Sequence, residues 1–210
     1  MQDATGQKPY KTVKGTGESE IVISKSRFLG TCVPVSTEAE AAERLMQLRK
    51  RHWDARHVCY AFRLAGGISR SSDDGEPSGT AGAPILNVLA QNGLENALCA
   101  VVRYFGGVLL GTGGLVRAYG RAASEAVQAA GTLEYRECEK IRMSVGYASY
   151  AALEPLLKTL PVVPEAAFGE EVALLCTLPA EQAEAFLRAA ADRTDGGAKI
   201  ESRERALCAL

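Results

Sequence analysis

One passage near the middle of the chain restricts the fold more than any other. Residues 96–105 read NALCAVVRYF, a strongly apolar stretch of strand length. It runs into GGVLLGTGG and then into LVRAYGRAASEAVQAA, a long helix that Gly131 stops. A strand delivered through glycines to a helix calls for a mixed sheet-and-helix architecture. Five glycines, Gly106, Gly107, Gly111, Gly113 and Gly114, fall between the strand end and the helix start.

The preceding residues fit such a layer. Residues 1–9 are expected to be frayed. From Tyr10 to Val35 the pattern is extended, with EIVIS and RFLGTCVPV as two strands. Thr37 followed by Glu40 is a capping box that opens the helix TEAEAAERLMQLRKRH, with Ala41, Leu45 and Leu48 on one face. HVCYAFRLA alternates at Val58, Tyr60, Phe62 and Leu64, the pattern of a half-buried strand. Residues 66–82 show no periodicity, and a loop of that length in a compact domain is usually functional or disordered. Pro84 then suits the start of the helix PILNVLAQN, which Gly93 ends.

From about Glu134 the order becomes strand (KIRMSVG), helix (YASYAALEPLLKTL), strand (VVPEAAFG), strand (EVALLCTLP), helix (AEQAEAFLRAAADR), strand (AKIESRERA), with Gly169 and Glu170 in the central hairpin. This is βαββαβ, the ferredoxin-like split pattern. The boundary is placed near residues 131–137, giving a first domain over 1–132 and a second over 136–210.

Composition then sorts function classes. A net charge of −1 over 210 residues excludes a protein that is basic throughout but leaves room for a local basic site. Residues 1–125 hold 15 Lys+Arg and 12 Asp+Glu, while residues 126–210 hold 9 and 13, so a polyanion is expected to meet the first part. Six cysteines occur without any CxxC pair, which excludes a zinc ribbon or thioredoxin motif. The opening MQDATGQKPYKTVKG has no apolar core, so no signal peptide is expected. The cysteines are therefore read as reduced and the protein as cytoplasmic. No stretch approaches the ~20 apolar residues of a membrane span.

The candidate chemistry is concentrated in two loops. Glycines let a backbone approach a phosphate, and a helix N-terminus offers unpaired N–H groups to an anion. Both standard nucleotide motifs nevertheless fail: position 112 is Thr where a P-loop needs Lys, and position 116 is Val where GxGxxG needs Gly. Arg117 and Arg121 lie in the early turns of the helix, where cations oppose its dipole, and Glu125 can pair with Arg121. Arg103 can converge on the same spot. Two compatible readings are open: an anion site, or ion pairs from these arginines to Asp73, Asp74 or Glu76. The loop SSDDGEPSGTAG, with Gly79 and Thr80, shapes the site, and its acids also raise hard-metal or acid–base chemistry. Neither an EF-hand series nor a GxSxG elbow is present. His57 beside Cys59 can be drawn as a Cys–His pair, although a buried structural Cys is commoner. The basic run LRKRHWDARH, with Trp53, is either a nucleic-acid contact or a helix end complementing its dipole.

SDDGEPSGTAGAPIL, HVCYAF and VVRYFGGVLLGTGGLVRAYGRAA together resemble the YigZ/IMPACT family over roughly residues 15–130, and the region from Glu134 to Arg205 resembles the C-terminal domain of its bacterial members. The resemblance implies an α+β fold: a first domain like the second domain of a small-subunit ribosomal protein, and a ferredoxin-like second domain. It also implies a link to translation, which eukaryotic relatives regulate with the help of an additional N-terminal domain. The expectation is a non-enzymatic protein, without cofactor or metal, that associates with RNA or the ribosome. Arg103, Gly106, Gly107, Gly111, Gly113, Gly114, Arg117 and Arg121 form its anion site, and the second domain is left for a protein partner. The competing expectation is an enzyme or binding protein for a small phosphorylated or carboxylated ligand.

Overall fold

In the computed structural model, which describes residues 8–210, the chain forms two compact units, one over Tyr10–Glu134 and the other including Tyr135–Leu210. Apart from Lys8 and Pro9, the fraying expected of residues 1–9 lies outside the described residues.

In the first unit β1 (Tyr10–Val13) precedes the hairpin of β2 (Gly17–Ile23) and β3 (Ser26–Pro34), and α1 (Glu38–Arg51) follows. Thr37 caps α1 by accepting the Glu40 N–H at 3.1 Å, and the Glu40 carboxylate reaches back to the Ser36 N–H at 2.6 Å. Next come β4 (His57–Arg63), β5 (Ser69–Ser72), α2 (Gly82–Gln91), β6 (Ala97–Tyr104) and α3 (Gly111–Ala130). The sheet runs β2-β3-β6-β4-β5, antiparallel at every pairing.

Three details depart from the sequence expectations. Residues 69–72, within the supposedly unstructured stretch, form the edge strand β5 against β4. Their sequence, SRSS, has no apolar alternation because the strand is largely exposed, so only its backbone ladder marks it. Strand β4 is covered on both faces rather than half-buried. Cys59 and Ala61 enter the core under α2 and α3, while Val58 and Phe62 enter the core under α1. Finally, α3 begins at Gly111, so Gly111, Gly113 and Gly114 are its first turn rather than its approach, and Arg121 falls in its third turn.

The long helix lies unusually close to the sheet. Its buried face repeats Ala118, Ala122, Ala126 and Ala130, and small residues stand opposite. A Cβ at Gly30 would meet Ala122 O at 2.6 Å, and one at Gly17 would meet Ala130 N at 2.1 Å. Only glycine at these two strand positions permits the contact.

The second unit contains most of β7 (Thr132–Val145), then α4 (Tyr147–Leu157), β8 (Glu165–Phe168), β9 (Val172–Pro179), α5 (Ala183–Arg193) and β10 (Lys199–Ala209). The strands lie in the order β10-β7-β9-β8, all antiparallel. Ile141, Met143, Val172, Leu174, Cys176, Leu178, Leu153 and Phe186 form its core. Both β7 and β10 are longer than their apolar residues suggest. The polar start of β7 pairs with the C-terminal end of β10, Arg136 with Cys208 and Tyr135 with Ala209. Among the described residues, no helix is long and apolar enough to cross a membrane.

Candidate functional site

The Asp73–Gly82 loop is built inward, and each of its acids has a separate task. Asp73 accepts the N–H groups of Gly79, Ala81 and Gly82 at 2.8, 2.9 and 2.8 Å. It thereby places a carboxylate on the N-terminus of α2, where the helix dipole favours negative charge. Burial pushes its pKa up, but the N–H bonds outweigh that and hold it below the usual carboxylate range. Asp74 takes both guanidinium nitrogens of Arg49 at 3.0 and 2.8 Å and the Val58 N–H at 2.7 Å. It too is held low, since Arg49 and Val58 overcome its desolvation.

Glu76 turns into the core and is 8% exposed. One of its oxygens accepts Arg103 Nη1 at 2.7 Å and the Tyr119 hydroxyl at 2.8 Å. Arg103 is 6% exposed, and its guanidinium lies 5.5 Å from the Phe28 ring centre and 5.4 Å from that of Phe105. Its Nε is a buried polar atom with no partner among the described residues. Arg103 therefore serves the internal network instead of facing an anion. Cys59 completes the surroundings: its Sγ donates to Asp73 O at 2.9 Å, and burial pushes its thiol up to about 12. Burial, with Cys59 and Glu76 close by, also raises Tyr119 well above the ordinary phenol range.

The histidines are engaged without forming a Cys–His pair. His57 Nδ1 donates to the Asp74 carbonyl at 2.8 Å, while Cys59 bonds to Asp73. The Tyr104 hydroxyl donates to Asp54 Oδ1 at 3.0 Å. Its single proton is then committed, so the His52 Nδ1 contact at 3.0 Å is a hydrogen bond donated by the ring. Burial, and then Arg51, lower the basicity of His52.

The glycine-rich connection is a different environment. Gly106 packs on the β2–β3 turn, where a Cβ would meet the Lys25 carbonyl carbon at 2.0 Å, and its N–H donates to Ser26 Oγ at 3.1 Å. Gly107, Val108 and Leu109 are exposed, Leu109 at 87%. Helix α3 then starts at a Leu110 cap that supplies no side-chain acceptor, and its first turn holds no acid. Arg117 folds back along the helix, its Nη1 3.6 Å from where a Gly113 Cβ would stand. No carboxylate among the described residues pairs with it. Arg121 is exposed and bonds Glu125 at 2.8 Å. The structure thus separates the expected site in two. Arg103 joins the loop acids inside, while Arg117 and Arg121 stand with the glycines outside.

Tyr119 was not among the candidate residues. A signal existed: it lies on the alanine-rich buried face of α3, and a buried tyrosine hydroxyl needs a partner. What the sequence lacks is any indication that the partner is Glu76, 43 positions away.

Residues 24–127 match the Impact N-terminal domain, a span that includes the whole of both loops and α3 through Arg121. Similarity also extends through the second unit. The chain is 38% identical to the IMPACT family member YvyE of Bacillus subtilis over 198 residues, 93% of this chain and 91% of that one. It is 36% identical to the IMPACT family member YigZ of Escherichia coli over 185 residues, covering 85% and 90%. A crystal structure of a hypothetical protein aligns with a TM-score of 0.59 at 31% identity, covering 92% of this chain and 96% of that one. Fold and sequence thus define a two-unit protein with an Impact-type first domain. The chain belongs to the IMPACT family.

Proposed function

We propose that this chain is a non-enzymatic cytoplasmic protein that associates with RNA or the ribosome and takes part in the regulation of translation. One contrast carries the reading. The protein has two helix N-termini beside conspicuous loops. At α2 it supplies its own anion, Asp73. At α3 the first turn has neither a side-chain cap nor an acid, and an unpaired arginine is folded back over it. A phosphate at α3 would fill the place that Asp73 fills at α2. Phosphate contacts position a nucleic acid without reading its sequence, so weak sequence preference follows.

Two finer assignments belong to the same reading. The first unit is taken to resemble the second domain of a small-subunit ribosomal protein. The second is taken as ferredoxin-like, which its βαββαβ order and β10-β7-β9-β8 sheet support. Its acidic balance suits a protein partner better than RNA. The alternative, a small phosphorylated or carboxylated ligand handled by the loop acids, is less well supported because Asp73, Asp74 and Glu76 all hold protein groups.

The test is fluorescence anisotropy of labelled RNA across a salt series, with wild type beside Arg117→Ala/Arg121→Ala. Affinity is expected to fall steeply with salt, and each lost phosphate contact to flatten the log–log slope by about 0.7 on a single strand. Wild-type binding that ignores salt, or an unchanged slope in the variant, would refute the site.

A further inference from the structure

The first unit carries a second feature that the helix terminus does not use. Trp53, the only tryptophan of the chain, is 83% exposed, and Phe105 is 53% exposed. Large aromatics left in water on a well-packed unit call for an explanation. The fold brings these two to one end of the sheet. Trp53 sits in the turn after α1, between His52 and Asp54, whose side chains both bond the Tyr104 hydroxyl at 3.0 Å. Phe105 is the next residue after Tyr104.

The cations at this end have been sorted by the fold. Arg49 is taken by Asp74, Arg51 by Glu18 and Arg27 by Glu20. Lys25, Lys50 and Arg56 are exposed and have no carboxylate partner among the described residues. Strand register brings Lys25 and Arg56 to this same end of the sheet. Arg27 pairs with Tyr104 and His57 with Arg103, so Lys25, two residues before Arg27, and Arg56, one residue before His57, lie where β6 ends. Gly106 packs directly on the backbone of Lys25.

We infer that this end of the sheet is a stacking platform for single-stranded RNA, with bases on Trp53 and Phe105 and phosphates on Lys25 and Arg56. Exposed rings interleaved with unpaired cations match the two faces of a nucleotide strand. Unpaired cations around the rings would be poorly matched by an apolar protein surface. A duplex is the wrong ligand, because its bases are stacked on one another and their faces are closed to the protein. The inference rests on the RNA reading above and specifies its ligand.

Because Trp53 is the sole tryptophan, the protein reports its own stacking. A twelve-nucleotide oligouridylate is titrated at low salt, following intrinsic fluorescence and, with a labelled copy, anisotropy. Saturable quenching is expected to track binding. Trp53→Ala and Phe105→Ala should each weaken affinity about fivefold or more, Trp53→Phe should retain most of it, and a duplex of equal length should bind more weakly without quenching. Circular dichroism confirms that the variants fold. Binding without quenching that survives both alanine variants overturns the platform while leaving the phosphate site of α3 intact. Absence of any binding by the wild type overturns the RNA reading and the platform together.

Discussion

Replacing Glu76 by alanine should strongly destabilise the first unit, although the side chain lies in a loop. Glu76 is the only carboxylate paired with Arg103 among the described residues, and the two are 8% and 6% exposed. Breaking a buried ion pair from one side typically costs about 3–5 kcal/mol, because the remaining charge is stranded. Here Arg103 Nε already lacks a partner, so little compensation is in place. The fully buried Tyr119 hydroxyl also loses its acceptor, which by itself costs about 1–3 kcal/mol. These costs share a site and do not add, so about 4 kcal/mol is expected, against a domain stability of about 5–15 kcal/mol. Glu76→Gln keeps an acceptor for Tyr119 and should cost less. The variant Glu76→Leu/Arg103→Met/Tyr119→Phe removes every polar member and should be more stable than Glu76→Ala alone. Native-state hydrogen exchange at β6 and α3 amides isolates this unit from the other. A loss below about 1 kcal/mol in Glu76→Ala, or a triple variant less stable than the single one, would refute the reasoning.

Acidification should loosen the Asp73–Gly82 loop. Asp73 and Asp74 both have pKa values held below the ordinary carboxylate range in the fold, so their contribution is present above about pH 4 and is lost as pH falls through the lower folded values. Asp73→Asn should flatten this dependence in loop exchange rates measured between pH 5 and 2, roughly the window over which such carboxylates titrate. Gly30→Ala should destabilise by roughly 1–3 kcal/mol in urea melts, since its Cβ would sit 2.6 Å from Ala122 O on a helix that cannot retreat without opening the core. In native protein a thiol reagent should label Cys208 first, the one cysteine that is partly exposed. Cys59, buried and with its thiol pushed up to about 12, should react only on unfolding, as peptide mapping would show.

Much of this protein was determined by the sequence alone. The capping box at Thr37, the stops at Gly93 and Gly131, and the βαββαβ order of the second half are local signals, and local signals are written in neighbouring residues. The family resemblance was legible for the same reason, through contiguous motifs within the span 24–127. What the sequence left open was how the arginines and the acids are shared out. Arg103, Arg117 and Arg121 lie within a short stretch, yet Arg103 is drawn inward by Glu76 from 27 positions away, while Arg121 keeps its local Glu125 and Arg117 keeps no acid. Nor did it show that β4 is covered on both faces, that the polar SRSS forms a strand, or that Trp53 and Phe105 stand at one sheet end. All of these depend on which elements become neighbours. Ion pairs, ladder hydrogen bonds and burial act between groups near in space, so only the tertiary structure decides which charges are spent in the core and which remain for a ligand.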